Sequence, residues 1–227
     1  YQVQLEELSK SFATKGDEFK DVLKMGRTQL QDAVPMSLGS EFRGWATTIH
    51  EELERVESSK RLISQINMGA TAIGTRVNAP EKYPEMVTEY LAELTGLKLS
   101  LAQDLIEATS DTGAYVQLSG VLKRTAIKIS KICNDLRLLS SGPRTGFNEI
   151  NLPQMQPGSS IMPGKVNPVI PEVVNQTAFY VIGADVTVTM AAEAGQLQLN
   201  VMEPVIAFSL FSSIIWMSRA CETLRVK

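Results

Sequence analysis

Residues 118–139 read LSGVLKRTAIKISKICNDLRLL. Leu118, Leu122, Ala126, Ile129, Cys133, Leu136 and Leu139 recur at steps of three or four. On a helix of 3.6 residues per turn these positions form one continuous apolar stripe. Extended back to Leu101, the pattern predicts a single helix of nearly forty residues, about 60 Å long at 1.5 Å per residue. Gly113 and Gly120 fall inside it at a cost of about 1 kcal/mol each, and close approach of neighbouring helices is their expected use.

Other segments carry the same period. An amphipathic helix is expected over 1–17, with Val3, Leu5, Leu8 and Phe12 near one face, and a long one over 36–66, through Leu38, Phe42, Trp45, Ile49, Leu53, Val56, Leu62 and Ile66. A short helix over 84–95 closes at Gly96. A further helix has Pro171 in its first turn and runs to about Ala194, and a last one starts near Val205 after a break at 195–204. Three stretches punctuated by Gly and Pro, about 18–35, 67–82 and 140–170, separate these helices and read as loops. No stretch alternates apolar and polar residues between hairpin turns. The predicted class is therefore all-α, a bundle of long helices.

Composition narrows the function. Apolar residues make up 44% and charged residues 21%, enough for a sizeable core and too apolar for a disordered chain. A net charge of -3 with no basic block gives no footprint for nucleic acid. Cys133 and Cys221 have no disulfide framework or metal spacing and fit a reducing, cytoplasmic setting. No secretory signal is visible. Residues 173–192 hold one charged side chain, Asp185, yet Asn175, Gln176 and several threonines mark a helix buried in protein rather than lipid. Such a helix, with the long stripe of 118–139, has more apolar surface than a monomer hides, so an oligomer of long helices is expected. Both chain ends lie inside helical patterns, which reads as a piece of a longer polypeptide.

The chemistry-bearing residues sit in the loops. GSSIMPGKVNP at 158–168 offers hydroxyls from Ser159 and Ser160, a fixed cation from Lys165 and amide donors from Asn167. GRTQLQD at 26–32 offers Thr28 and Gln29, whose hydroxyl and amide donors can bind a carboxylate, with helix capping by Thr28 or Asp32 as the alternative. NMGATAIGTRVN at 67–78 has the glycines and threonines of an anion nest. Glu172 falls in a first helical turn, where a carboxylate is favourable in any case, or orients a donor in the site. The single histidine, His50, lies among charged residues and reads as solvated surface, so a Ser-His-Asp triad is excluded within this chain. A reacting serine here needs Lys165, backbone N–H groups and dryness instead.

GSSIMPGKVNP resembles, in full, the GSSxMPxKxNP signature of the aspartase/fumarase superfamily. MGRTQLQDAVPM at 25–36, LAQDLIEATSD at 101–111, KICNDLRLLSSGPR at 131–144 and NEINLP at 148–153 are similar to its aspartase branch. So are NPVIPEVVNQ at 167–176 and AAEAGQLQLNVMEP at 191–204. The resemblance implies a central helical domain, 1–227, without the family's N-terminal and C-terminal domains. It implies a homotetramer built on long helices, with each site shared by three subunits. It also implies reversible anti-elimination from a four-carbon dicarboxylate, giving fumarate and ammonium in the aspartase branch, with no cofactor and no metal. On the matched positions Ser159 is the general base, Lys165 and Asn167 bind the β-carboxylate, and Thr28 and Gln29 meet the other end of the substrate. Fumarases have His where this chain has Gln29, linked to a glutamate matching Glu172. Fumarate hydration, or an inactive oligomerisation fragment, stands as the alternative. Arg76 and Ala184 depart from the family pattern, which has Gly and Asn there; Arg76 sits where a turn is expected to need a positive φ.

Overall fold

A computed structural model describes residues 1–227. Seven helices carry the fold: α1 (Gln2–Glu18), α2 (Leu38–Ile63), α3 (Tyr83–Thr95), α4 (Glu107–Ser110), α5 (Gly113–Leu139), α6 (Val169–Glu193) and α7 (Glu203–Val226). Four short strands accompany them: β1 (Leu23–Thr28), β2 (Gln31–Ser37), β3 (Gln65–Ile66) and β4 (Ser100–Leu101). The protein is mostly helical, as the apolar periods require, and it divides into two compact units.

The first unit comprises residues 1–54, 123–182 and 214–227. The stripe of α5 lies in its core, with Ala126, Ile129, Cys133, Leu136 and Leu139 all buried. Phe12 of α1 packs edge-on against Trp45 of α2 at 5.8 Å between ring centroids, and Phe42 lies 4.7 Å from Trp45. Glu52 of α2 is fully buried, a costly position for a lone carboxylate. Lys128 at 2.6 Å and Arg124 at 3.1 Å, both from α5, supply the opposite charge. Asn175 of α6 is clamped to α5: its Nδ2 donates to Ser130 O at 3.0 Å, Ser130 Oγ at 2.8 Å and Asn134 Oδ1 at 3.1 Å, and its Oδ1 accepts from Arg137 at 3.3 Å.

The second unit comprises residues 55–122 and 183–213. Its interior holds several buried polar side chains, among them Ser119, Asp185 and Asn200. Ser119 Oγ donates to Asp185 Oδ1 at 2.8 Å. Asn200 holds the turn between α6 and α7: its Nδ2 donates to Ala191 O at 3.1 Å and Ala192 O at 3.2 Å, and its Oδ1 accepts the Met202 N–H at 2.8 Å. β3 and β4 form a two-residue parallel ladder.

Three expectations change. Residues 18–35 are not an irregular loop, because β1 and β2 make an antiparallel hairpin with Thr28 opposite Gln31. Its two-residue tip, Gln29 (φ 53°) and Leu30 (φ 62°), has the two positive φ values of a type I′ turn. Asn-Gly usually announces that turn, and Gln-Leu gives no such signal. The helix expected from Leu101 begins only at Gly113 and spans 27 residues. Asp104 Oδ1 caps the separate turn α4 by accepting from Ile106 N at 2.8 Å and Glu107 N at 3.1 Å, and Asp111 Oδ2 accepts from Gly113 N at 2.9 Å with its own backbone extended (ψ 135°). Two Asp side chains thus outcompete helix continuation. Finally, Gly120 lies inside α5 with open space where a side chain would stand, so within this chain it brings no neighbour close.

The nearly uncharged helix is not enclosed within the chain either. Phe179, Val186 and Met190 on α6 are exposed, as are Phe208, Phe211, Ile215 and Trp216 on α7. α7 is long and apolar enough by composition to cross a membrane, and it turns Ser209 and Ser213 into the interior of the chain.

Candidate active site

The signature loop is built by glycines. At Gly158 a side chain would press on the Lys165 carbonyl oxygen at 2.8 Å, so the backbones of 158 and 165 meet at a narrow neck that only Gly closes. Gly164 takes φ 81° to turn the chain back. Ser159 and Lys165 therefore emerge from the same neck. Ser159 Oγ accepts the Ile161 N–H at 3.2 Å, and Ser159 O accepts the Met162 N–H at 3.3 Å. A backbone N–H aimed at a serine Oγ favours negative charge on that oxygen, which a serine base needs. Ser159 and Asn167 are half-buried, and Ser160 and Lys165 are exposed. Pro168 O accepts the Glu172 N–H at 3.1 Å, so the loop runs directly into α6. Glu172 does fall in its first turn, and the Asn175 clamp one turn later fixes that end of the helix.

Thr28 and Gln29 are exposed at the hairpin tip. Two adjacent non-glycine residues in the left-handed region cost about 1–2 kcal/mol each. The base of the tip is tied down by charge. Arg27 Nη1 lies 2.5 Å from Glu149 Oε1 and its guanidinium stacks over Phe147, 4.3 Å from the ring centroid. Lys24 Nζ lies 3.1 Å from Glu149 Oε2 and also pairs with Glu41. Burial pushes the Glu149 carboxyl up, but the hydrogen bonds from Arg27 and Lys24 outweigh it and hold the group below the usual glutamate range. Sequence reading missed this network. Its only signals, Arg27 beside Thr28 and Glu149 ahead of the loop, are far apart in the chain.

No hydrogen bond or ion pair joins Thr28 or Gln29 to Ser159, Lys165, Asn167 or Glu172. A cavity of about 630 Å³ in the same unit is lined mainly by apolar residues such as Leu8, Phe12, Phe42 and Ile150, and of the predicted groups it touches only Asn167. The loop and the hairpin tip are thus presented outward rather than closed around a shared pocket. No three His, Cys, Asp or Glu side chains converge as a metal site would need. His50 is exposed, as expected.

In the second unit, 67–82 is a structured loop with positive φ at Gly69, Thr71, Gly74, Arg76 and Asn78. Gly74 is needed twice over, by φ 87° and by a Leu105 carbonyl oxygen 2.3 Å from any added Cβ. Arg76 takes φ 62°, as its turn requires, and its Nη2 lies 2.8 Å from both Glu85 oxygens. A hydrogen bond to Glu85's own backbone, then Arg76, holds that carboxyl below its ordinary value. Ala184 lies half-buried within α6, and nothing in the structure explains the absence of Asn there.

The signature loop on a bundle of long helices defines the class. A family profile described as lyase matches residues 2–183, and the chain belongs to that family. More particularly, it is similar to aspartate ammonia-lyases: 64% identical over 222 residues to that of Pseudomonas canavaninivorans, covering 97% of this chain and 47% of the relative. To that of Escherichia coli (strain K12) it is 60% identical over 223 residues, covering 98% and 47%. Among solved structures, a cobalt-bound fumarate lyase:delta crystallin from Brucella melitensis superposes with a TM-score of 0.97 at 55% identity, covering 99% of this chain and 49% of that one. A class II fumarase from Schistosoma mansoni gives 0.95 at 35% identity, covering 100% and 50%. The chain spans about half the length of the curated relatives it matches.

Proposed function

We propose that residues 1–227 are the central helical domain of a cytoplasmic enzyme that reversibly eliminates ammonia from L-aspartate to give fumarate. The observation that carries this reading is the intact loop 158–168, whose neck joins Ser159 to Lys165 and whose serine oxygen already accepts a backbone N–H. Ser159 takes the Cβ proton. The C–H electron pair moves into the adjacent carboxylate, which becomes an aci-carboxylate with two negative oxygens. Lys165 and Asn167 donate to that carboxylate, and donors aimed at such growing charge are worth about 3–4 kcal/mol each. The pair then returns to form the Cα–Cβ double bond as the C–N bond breaks and ammonia leaves. Thr28 and Gln29 hold the other end of the substrate.

Thr28, Gln29 and Lys165 are exposed, so in this reading they act only when other protein covers them. We assign that role to a homotetramer in which three subunits share each site. The open faces of α6 and α7 support it, since exposed apolar area on this scale is seldom left uncovered in soluble monomers. Residues 1–227 alone should then assemble yet turn over little. Light scattering coupled to size exclusion, followed by an ultraviolet assay for fumarate on the same fraction, tests both halves. A monomer, or parent-like turnover from these residues, would overturn the reading.

Fumarate hydration is the second reading, favoured by the likeness to a class II fumarase. Against it, Gln29 has no titratable proton, and Glu172 makes no hydrogen bond to it. Assays of the full-length protein with L-aspartate and with L-malate separate the two, and comparable specificity constants would remove the assignment to L-aspartate.

A further inference from the structure

Glu149 sits where two parts of the first unit meet, and the reaction above gives it no role. Strict strand alternation would send Lys24 and Arg27 to opposite faces of β1. The register shift between Met25 and Arg27 interrupts that alternation at Gly26, where an added side chain would meet the Val34 carbonyl oxygen at 3.0 Å. Both cations then reach one carboxylate. The Lys24 side chain is 8% exposed, Glu149 17% and Arg27 21%, so solvent screens these pairs less than it would on an open surface. Glu149 is itself anchored, because its N–H donates to Leu139 O at the end of α5 at 2.9 Å, and the Ile150 N–H reaches the same oxygen at 3.4 Å. The chain from Glu149 leads through 150–157 into the signature loop, and Arg27 directly precedes Thr28.

We propose that Glu149 is a positioning residue for the lyase reaction: through Arg27 and Lys24 it fixes the hairpin tip bearing Thr28 and Gln29 to the end of α5 from which the loop bearing Ser159 departs. This rests on the proposed function, since it takes Thr28 and Gln29 as substrate contacts. Glu149 touches no substrate. It acts by removing freedom from groups that do, and a displacement of about 1 Å at such groups can cost on the order of a hundredfold in rate.

The test uses the full-length protein and Glu149→Gln, which keeps the shape of the side chain and removes its charge. For L-aspartate, kcat/KM should fall about 10- to 100-fold, with the secondary structure and the oligomer unchanged. Thr28→Ala should cost far less in the Glu149→Gln background than in wild type, because its hydroxyl is already out of place; a purely structural role predicts equal losses. Glu149→Asp keeps the charge at shorter reach and should recover part of the loss. Hydrogen exchange gives a readout independent of activity: amides of 27–31 should lose protection in Glu149→Gln. Unchanged protection there, or a Thr28→Ala effect that stays the same in both backgrounds, overturns the positioning role. If the wild type turns over neither L-aspartate nor L-malate, the functional reading fails. Loss of protection at 27–31 in Glu149→Gln would then still support the anchoring of the tip.

Discussion

The hairpin tip and the signature loop both turn polar side chains toward solvent, yet they are held in opposite ways. The tip ends a ladder of paired strands, and below it Arg27 and Lys24 are bound to Glu149 from outside the hairpin. The loop has no strand partner. From 158 to 165 its hydrogen bonds, from Ile161 N to Ser159 Oγ, Met162 N to Ser159 O and Lys165 N to Met162 O, are all its own, and only its last residues, Asn167 and Pro168, bond to the start of α6. Groups that only grip a substrate gain from a rigid mount, since immobility spares the entropy of ordering them at each turnover. In the proposed reaction the group that moves a proton, Ser159, sits instead on a segment with few outside contacts, which is the kind of segment that opens most easily.

The widest separation between the two regions should appear on removing the base. In the full-length protein, Ser159→Ala is expected to lower kcat for L-aspartate by about 10²–10⁴-fold, the usual worth of a positioned general base. The change deletes a hydroxyl from a half-buried loop position and no core contact, so the oligomer measured by light scattering should persist. Near wild-type kcat would remove Ser159 as the base and turn attention to Ser160.

Lys165→Met should come next, at about 10²–10³-fold, and it should lower kcat as well as kcat/KM. A cation that meets charge growing in the transition state is felt more there than in the bound substrate. Unchanged kcat with raised KM would mean that Lys165 merely grips, making the loop resemble the tip.

How much of this was legible in the sequence follows the same division. The α5 stripe, the start of α6 and the Gly96 cap were readable because period and capping are local properties. The signature loop was readable because its residue types are fixed at fixed spacing. The hairpin was not: Gln29-Leu30 is a poor match to a two-residue turn, and the fold imposes φ values that these residues do not favour. The break before α5 was hidden because Asp104 and Asp111 interrupt an apolar period that otherwise continues across them. The Glu149 network was hidden because ion pairing between distant segments leaves no trace in spacing.

A smaller effect probes the neck of the loop. Gly164 has φ 81° and open space around its Cα, so Gly164→Ala meets no clash and adds only conformational strain, about 1–2 kcal/mol. That strain should fall on the local order of the loop. Faster amide exchange over 161–166 with a several-fold drop in kcat is expected, and unchanged melting would show that the loop opens apart from the core. A fall in Tm as large as the strain implies would instead couple the loop to global stability, and the contrast with the hairpin would weaken.

The smallest effect is expected at the hairpin tip, from Leu30→Gly. Leu30 takes φ 62°, and the residue is 63% exposed. Glycine removes the left-handed penalty of about 1–2 kcal/mol. It also loosens the unfolded chain, which returns about 0.4–1 kcal/mol of that gain. The balance is a stabilisation on the order of 0.5 kcal/mol, or about 1–2 °C in Tm for a domain of this size. Turnover should stay within about twofold, because the paired strands and Glu149, rather than Leu30, hold Thr28 and Gln29 in register. Scanning calorimetry and the fumarate assay on one preparation measure both quantities. A lower Tm would show that the Leu30 side chain is buried against another subunit in the assembly. A large loss of turnover with a raised Tm would show that the strained turn itself sets the position of Gln29, and that the rigidity of this region is made at its tip rather than at its base.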